Sequence, residues 1–301
     1  MTPFALARVQ GAEPALAVVV GGRARPLAEL WPAGPAPRTV AELLVDWDRH
    51  LDLVSAALDA DPDRAEWTAM DDLDVLPPVD PIASLYCCGA NYYDHAEEMG
   101  VPRPDKSTST PFHFLLPVAA LQGHRGNVVR PAGVTRLDWE VELAAVIGRR
   151  AHRVPAERAL EHVAAYTVAN DVSCRDPDRM RSPIFGANWL WSKGQATLQP
   201  LGPTLVPARF VPDPGAVALR LTVDGIVRQN SSTAQMIFSL EEQIEHLSSM
   251  VPLLPGDVIV TGTPAGTAAA HDAYLQDGQV MVAEVEGVGR LENRVVGSAG
   301  A

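Results

Sequence analysis

Cysteine is scarce in this chain. Cys87, Cys88 and Cys174 are the only three in 301 residues, two of them are adjacent, and none falls in a C-x-x-C spacing. That argues against a disulfide framework, a cysteine zinc site or a redox pair, and leaves reduced thiols in a cytoplasmic protein as the expectation. Cationic side chains are also few, 24 Lys and Arg against 37 Asp and Glu. The resulting net charge of −13 opposes phosphate backbones and anionic membrane surfaces, which disfavours a nucleic-acid or membrane partner. No apolar run approaches the roughly 18 residues of a membrane span. The opening stretch MTPFALARVQGAEP carries no charged segment followed by an apolar core, so no leader is expected either. G-x-S-x-G, H-E-x-x-H, G-x-x-x-x-G-K-[ST] and a strand-borne G-x-G-x-x-G are all missing, and serine-hydrolase, zincin, P-loop and dinucleotide readings lack their basic element.

What is present reads as mixed α/β, rich in strands. The length suits one large domain with a smaller appendage. FALARV and ALAVVV, with Gly21-Gly22, suit a hairpin; Thr39 and Glu42 then form a capping box, and Val40, Leu43, Leu44, Trp47, Leu51, Val54 and Leu58 recur at helical spacing. The acidic, Pro-rich MDDLDVLPPVDP marks a connection, so a small β/α domain is expected over residues 1–77 and the main domain over 78–301. SLYCCGANY and LDWEVELAAVIG read as strands, PAERALEHVAAY as a short helix, and VALRLTVDGIVRQ as a hairpin turning at Asp224-Gly225. Ser239 and Glu242 form a second capping box ahead of an amphipathic helix. GVPRPDKSTSTP, long and breaker-rich, is either a lid or a surface loop.

Chemistry concentrates in RLDWEVELAAVIGRR. As a strand it alternates Asp138, Glu140 and Glu142 on one face with Trp139, Val141 and Leu143 on the other. Neighbouring carboxylates repel, and burying one unpaired costs several kcal/mol, so a hard, oxygen-seeking cation such as Mg²⁺, Mn²⁺ or Ca²⁺ resolves the conflict. The alternative is an edge strand with a solvated acidic face. YTVANDVSCRD adds Asp171, Asp176 and the guanidinium of Arg175, which suits a carboxylate substrate. Lys193, in WLWSKGQ, is a further cation or a snorkelling surface lysine. In GANYYDHAEEMG, a helical turn would place His95 and Glu98 at i and i+3, in outline a general-base dyad, beside Tyr92. The alternative is an exposed helix bearing an incidental His-x-x-Glu. TGTPAG reads as a tight turn that either lines a pocket with its amides and Thr263 or merely ends a strand.

Taken in order, GANYYDHAEEMG, LDWEVELAAVIG, YTVANDVSCRD, a Lys before QPLGP, VDGIVRQNSSTAQMIFS and PGDVIVTGTPAGT resemble the catalytic domain of the fumarylacetoacetate hydrolase family over about residues 78 to 295. The resemblance implies a β-roll or β-sandwich catalytic domain, a homodimer, and Mg²⁺ or Mn²⁺ held by Glu140, Glu142 and Asp171. It implies Lys193 beside the substrate, His95 with Glu98 as a water-activating dyad on a lid, and Tyr92, Arg175 and Thr263 as substrate-binding candidates. Asp138 matches a frequent family position without being a usual ligand. The implied activity is hydrolysis of a C–C bond in a 2,4-dioxo acid; relatives that decarboxylate, isomerise or dehydrate 2-oxo acids give the alternative, and a binding protein with little turnover a further one. Three positions depart from the family pattern: Leu116 stands where F-L-K-P has lysine, and Gly194 and Ala196 stand where G-K-S-F-D-T-F has Ser and Asp.

Overall fold

The strand Val141–Ile147 has no polar side chain beyond Glu142 and is buried along its whole length, which a strand achieves at the centre of a sheet covered on both faces. In the computed structural model, which describes residues 2–298 apart from 33, 62, 64, 65, 183 and 185, it occupies that position. The last three positions of the expected 78–301 domain therefore lie outside the described residues. Val141–Ile147 pairs antiparallel with Val163–Asn170 on one side and Val258–Val260 on the other. Beyond these come Leu85–Gly89 and Phe112–Leu116 at one edge, and Gln199–Pro207 toward the other.

A second, five-stranded sheet runs Ile226–Ser232, Ala218–Val223, Val280–Val285, Gly289–Gly297, Asn127–Arg130. The hairpin within it turns at Asp224-Gly225, both at positive φ, where Asp and Gly suit a primed turn. Between the two sheets lies the main core: Val141, Leu143, Ala145 and Ile147 from the central strand meet Leu219, Leu221, Met281, Ala283 and Val285 from the second sheet. The opposite face of the central strand, Ala144 and Val146, joins another cluster with Leu43, Leu51, Val54 and Leu58. The architecture is thus mixed α/β and strand-rich, a sandwich of two open sheets.

The N-terminal strands Ala5–Val9, Ala15–Val20 and Arg23–Pro26 extend the large sheet, because Leu6 and Ala7 pair with Leu205 and Thr204. The proposed division at residue 77 falls within that continuous sheet. The helix expected from Thr39 onward is two helices, Val40–Leu44 and Trp47–Ala60, broken where Asp46 takes a non-helical backbone and Val45 turns to solvent. Thr39 caps the first by accepting from the Glu42 amide, but the Glu42 carboxylate accepts from the Arg38 amide and not from that of Thr39. The Ser239 capping box is complete, and the helix Leu240–Met250 follows it.

Two outcomes follow from this packing. Leu143→Ala removes a fully buried side chain between the sheets and is expected to cost about 2–5 kcal/mol, seen as a lower urea midpoint with an unchanged m-value. On the edge strand, burial pushes His113 down to about 4, with Gln243 opposing and the stacked His246 adding to the shift. A depressed imidazole favours the neutral form, so its contribution is whole above the ordinary value of 6.5 and lost as pH falls toward about 4. Equilibrium unfolding of His113→Leu should accordingly depend less steeply on pH across that window than wild type.

Candidate active site

The continuous strand expected over residues 136–150 is interrupted. Leu137–Asp138 pairs with Ser173–Cys174, the ladder lapses at Trp139 and Glu140, and Val141–Ile147 resumes on a different partner. Side chains take over the free amides: Trp139 N–H donates to Asp138 Oδ1 at 2.8 Å, Glu140 N–H to Asn170 Oδ1 at 2.9 Å and Val141 N–H to Gln229 Oε1 at 2.9 Å. All three carboxylates of the segment are buried, so the solvated acidic face is not what forms.

Glu140, Glu142 and Asp171 converge, each offering an oxygen within 4.8 Å of the others. Lys193 is itself buried and donates to Glu140 Oε2 at 2.7 Å and Asp171 Oδ2 at 2.6 Å. Arg175 bridges Asp138 Oδ2 at 3.1 Å and Glu140 Oε1. Burial lowers the acidity of every carboxyl group here, but the cations decide which of them stay ionised. Lys193 and Arg175 outweigh burial at Glu140 and hold it below the usual range. At Asp171 burial prevails over Lys193 and the group is pushed up to about 6. Glu142 is driven well above the ordinary range by burial and by Asp171 and Glu140. The same carboxylates outweigh burial at Lys193 and raise it. Four buried carboxylates thus face the buried Lys193 and the half-buried Arg175, an excess of two acidic groups over cations.

The TGTPAG turn closes over this cluster. The Gly262 N–H donates to Glu142 Oε2, and the Gly266 N–H donates to Glu98 Oε1 at 2.7 Å. Gly266 has φ +101° and a Cβ there would lie 2.0 Å from the Arg228 carbonyl oxygen, so the amide reaches Glu98 only because the residue is glycine. The helix Tyr93–Glu98 forms as expected, and His95 Nδ1 lies 3.1 Å from Glu98 Oε2 with both side chains largely buried. Burial raises Glu98, yet the hydrogen bonds from His95 and Gly266 outweigh it and the carboxylate sits below its ordinary value. His95, Glu98, Met99, Arg175, Thr267, Ala269 and Ala270 line one cavity of about 300 Å³.

Of the other sequence candidates, Tyr92 is fully buried, its hydroxyl pushed well up by burial and by Glu142. Thr263 donates its hydroxyl proton to the Val141 carbonyl at 2.9 Å and accepts from Gln229. Asp176 stands apart from the cluster, accepting from Thr135 and Arg136 in a neighbouring turn. Asp138 carries more than its sequence position implies: it accepts from the amides of Trp139, Ala268 and Ala269 as well as from Arg175. The contacts of Gly262, Gly266, Thr267 and His271 escape sequence reasoning, because their partners lie more than 100 residues away and no local pattern records them.

The family model for the fumarylacetoacetate (FAA) hydrolase C-terminal domain matches residues 84–296. This chain belongs to the fumarylacetoacetate hydrolase family. Among its relatives in that family, the mitochondrial oxaloacetate tautomerase FAHD2A of Bos taurus is 37% identical over 262 residues, 86% of this chain and 80% of that protein. A fumarylpyruvate hydrolase from Pseudomonas aeruginosa, solved with Mn²⁺ and pyruvate, is 34% identical with TM-score 0.65, covering 75% of this chain and 92% of that one. A 5-carboxymethyl-2-hydroxymuconate delta-isomerase from Mycobacterium smegmatis is 32% identical with TM-score 0.73, covering 98% and 100%. Family members similar to this chain therefore include both a hydrolase and isomerising enzymes. Among the described residues no helix is long and apolar enough to cross a membrane.

The departures from the family pattern have distinct settings. Leu116 is buried in the cluster that includes Leu85, an apolar place. Gly194 ends the helix Trp189–Lys193, where a Cβ would press on Leu190 Cδ1 at 2.6 Å, and Ala196 is exposed. The donor set offered by the carboxylates is all oxygen, and the buried Asp171 Oδ1 has no hydrogen-bond partner. Both observations, with the excess of acids over cations, fit a hard divalent cation. Mn²⁺ or Mg²⁺ at a hundredfold over its Kd should stabilise the folded protein by about 2.7 kcal/mol. Glu142→Gln should abolish that gain in thermal melts while raising the stability of the metal-free protein at neutral pH, since it removes a carboxyl group whose ionisation burial and its acidic neighbours oppose.

Proposed function

We propose that this protein is a divalent-metal-dependent enzyme of 2-oxo acids that forms and reprotonates an enolate, and that its principal reaction is keto–enol tautomerisation of a short dicarboxylic 2-oxo acid such as oxaloacetate. The observation that carries this reading is the opening of the His95–Glu98 dyad and of Arg175 onto one cavity, with Arg175 also bonded to Glu140 of the carboxylate cluster. Similarity to the oxaloacetate tautomerases supports the choice of substrate.

Glu140, Glu142 and Asp171 would hold the ion, Mg²⁺ or Mn²⁺ with Ca²⁺ also compatible, and it would supply Lewis-acid stabilisation of the enolate. The protein's own residues do the rest. His95 takes a proton from C3, and a proton is returned to the C2 oxygen; one C–H bond breaks, one O–H bond forms, and no water is consumed. Glu98 fixes the imidazole tautomer by accepting from Nδ1 and so leaves Nε2 to the substrate. Lys193 holds Glu140 and Asp171 in place and sets a fixed positive charge beside the reacting oxygens. Arg175 lines the cavity as a cation for a substrate carboxylate. Tyr92 and Thr263, the other substrate-binding candidates, are buried outside that cavity lining and serve it as supports, Tyr92 at the start of the dyad helix and Thr263 through the Val141 carbonyl. The homodimer implied by the family stays part of the proposal. The sequence expectation of a cytoplasmic location stands beside tautomerase relatives named as mitochondrial.

A second reading, hydrolysis of an acylpyruvate, is favoured by the same dyad acting on water and by the fumarylpyruvate hydrolase. Water then adds to the C4 carbonyl, the C3–C4 bond breaks, and the pyruvate enolate leaves to be protonated at C3. Two assays with Mg²⁺ separate the readings: decay of enol-oxaloacetate absorbance, and pyruvate release from acylpyruvates. Accelerated enol decay without pyruvate supports the tautomerase, whereas acylpyruvate cleavage at the higher kcat/KM makes the protein a hydrolase. Pyruvate from oxaloacetate itself would mark a decarboxylase, and acceleration of neither assay would refute the enolate reading. In the assay that responds, His95→Ala should lower turnover about 10²–10⁴-fold while leaving oxalate binding little changed.

A further inference from the structure

We propose that His271 is a proton-relay residue for this site, an exposed imidazole that passes protons between solvent and the buried His95 through the carboxylate of Glu98. This rests on the enolate reading above. Glu98 lies between two imidazoles: Oε2 is 3.1 Å from His95 Nδ1, and Oε1 is 3.5 Å from His271 Nε2. The exposures differ in the sense a relay needs, the Glu98 side chain at 12% and that of His271 at 62%.

The carboxylate is not free to swing away from either ring. Gly266 N–H donates to Oε1 at 2.7 Å, and the Thr267 hydroxyl approaches Oε2 at 3.4 Å. The short helix Ala268–His271, which carries the outer imidazole, is fixed in turn, because Asp138 accepts from Ala268 N–H at 2.6 Å and from Ala269 N–H at 3.3 Å. Ala269 and Ala270 form part of the cavity wall, and the exposed His271 follows them directly in the chain.

A buried base that abstracts a proton from C3 must return that proton to the substrate or exchange it with water. Arg175, the other ionisable group of the cavity wall besides the dyad, does not release protons in this range. Lys193 is buried and held charged by Asp171 and Glu140. Imidazole is the side chain that exchanges protons with water near neutrality. As His95 Nε2 takes the substrate proton, Nδ1 gives its proton to Glu98. The carboxyl group, remaining between the two rings, carries the proton across by a half-turn about its Cγ–Cδ bond that interchanges Oε1 and Oε2 and delivers it to His271 Nε2, and His271 releases one from Nδ1 to water. The reverse sequence reloads His95, and no charge accumulates. The 3.5 Å contact shortens to a hydrogen bond with a shift of a few tenths of an ångström, which an exposed side chain at a helix end can make.

The test compares wild type, His271→Ala, His271→Gln and His95→Ala on enol-oxaloacetate with Mg²⁺ in dilute, non-imidazole buffer, and follows deuterium entry at C3 in D₂O by NMR. Both His271 variants should lose roughly tenfold in kcat and in deuterium entry, less than loss of the base itself, with KM unchanged. Added imidazole should restore the rate saturably in His271→Ala and not in His95→Ala. In the metal-free protein, Glu98→Gln should shift the His271 ring resonances, which establishes the contact independently of turnover. Wild-type kcat and exchange in both His271 variants, a loss that imidazole does not restore, or His271 resonances indifferent to Glu98→Gln would each overturn the relay. If wild type itself accelerates no 2-oxo acid, the enolate reading falls and the relay with it; if wild type is active and only the His271 variants behave as wild type, the relay alone falls.

Discussion

Everything in this site depends on one electrostatic constraint: four carboxylates, Asp138, Glu140, Glu142 and Asp171, are buried around two cations, Lys193 and Arg175. Isolated, each such charge costs several kcal/mol to bury, and the mutual repulsion of the acids adds to that. The cluster is tolerable because every cation is shared between two acids and because backbone amides of the TGTPAG turn and of Ala268 and Ala269 donate to the remaining oxygens. What those contacts leave uncompensated is an excess of acidic groups over cations and the orphan oxygen of Asp171, and these suit the site to a divalent ion.

The same turn links the charge cluster to the dyad. Gly262 holds Glu142 and, four residues later, Gly266 holds Glu98, so one short stretch of backbone sets both the carboxylate floor of the site and the orientation of His95. Its position comes from the central sheet, since Val258–Val260 pairs with Val141–Ile147 immediately before the turn, and Thr261 and Thr263 bond the carbonyls of Leu143 and Val141. A Cβ on Gly262 would lie 2.7 Å from the Cβ of Asn91, on the loop that leads into the dyad helix, so the dyad and the floor are held at van der Waals separation. Rigidity here is a requirement of the chemistry, because a base displaced by an ångström from the C3 proton loses most of its effect.

Much of this could be read in the sequence. The alternation of LDWEVELAAVIG gave Glu140 and Glu142 a common face, and the i, i+3 spacing of His95 and Glu98 is the dyad's own geometry once Tyr93–Glu98 is helical. The Asp224-Gly225 hairpin and the Ser239 cap were equally legible, since each depends on residues only a few positions apart. Where local rules failed, a competing partner was the cause. The strand through Trp139 and Glu140 breaks because Asp138, Asn170 and Gln229 side chains satisfy amides the ladder would have used. The single helix from Thr39 breaks at Asp46, a change of backbone that apolar periodicity does not register.

The sequence by itself determined which side chains of this chain can do chemistry: a pair of strand carboxylates, a third from the N-D-V-S segment, a lysine, and a histidine with its carboxylate, in an order that identifies the family. Those features are short-range, set by the two-residue period of a strand and the 3.6-residue period of a helix. Only the tertiary structure decided that Lys193 is buried on Glu140 and Asp171 and not snorkelling, that Arg175 is shared between Asp138 and Glu140, and that Glu98 faces His271 as well as His95. Such pairings join residues tens to more than a hundred and seventy positions apart. They are fixed by which strand lies beside which and by the requirement that every buried charge find a partner, a condition on the whole fold that no local stretch of sequence expresses.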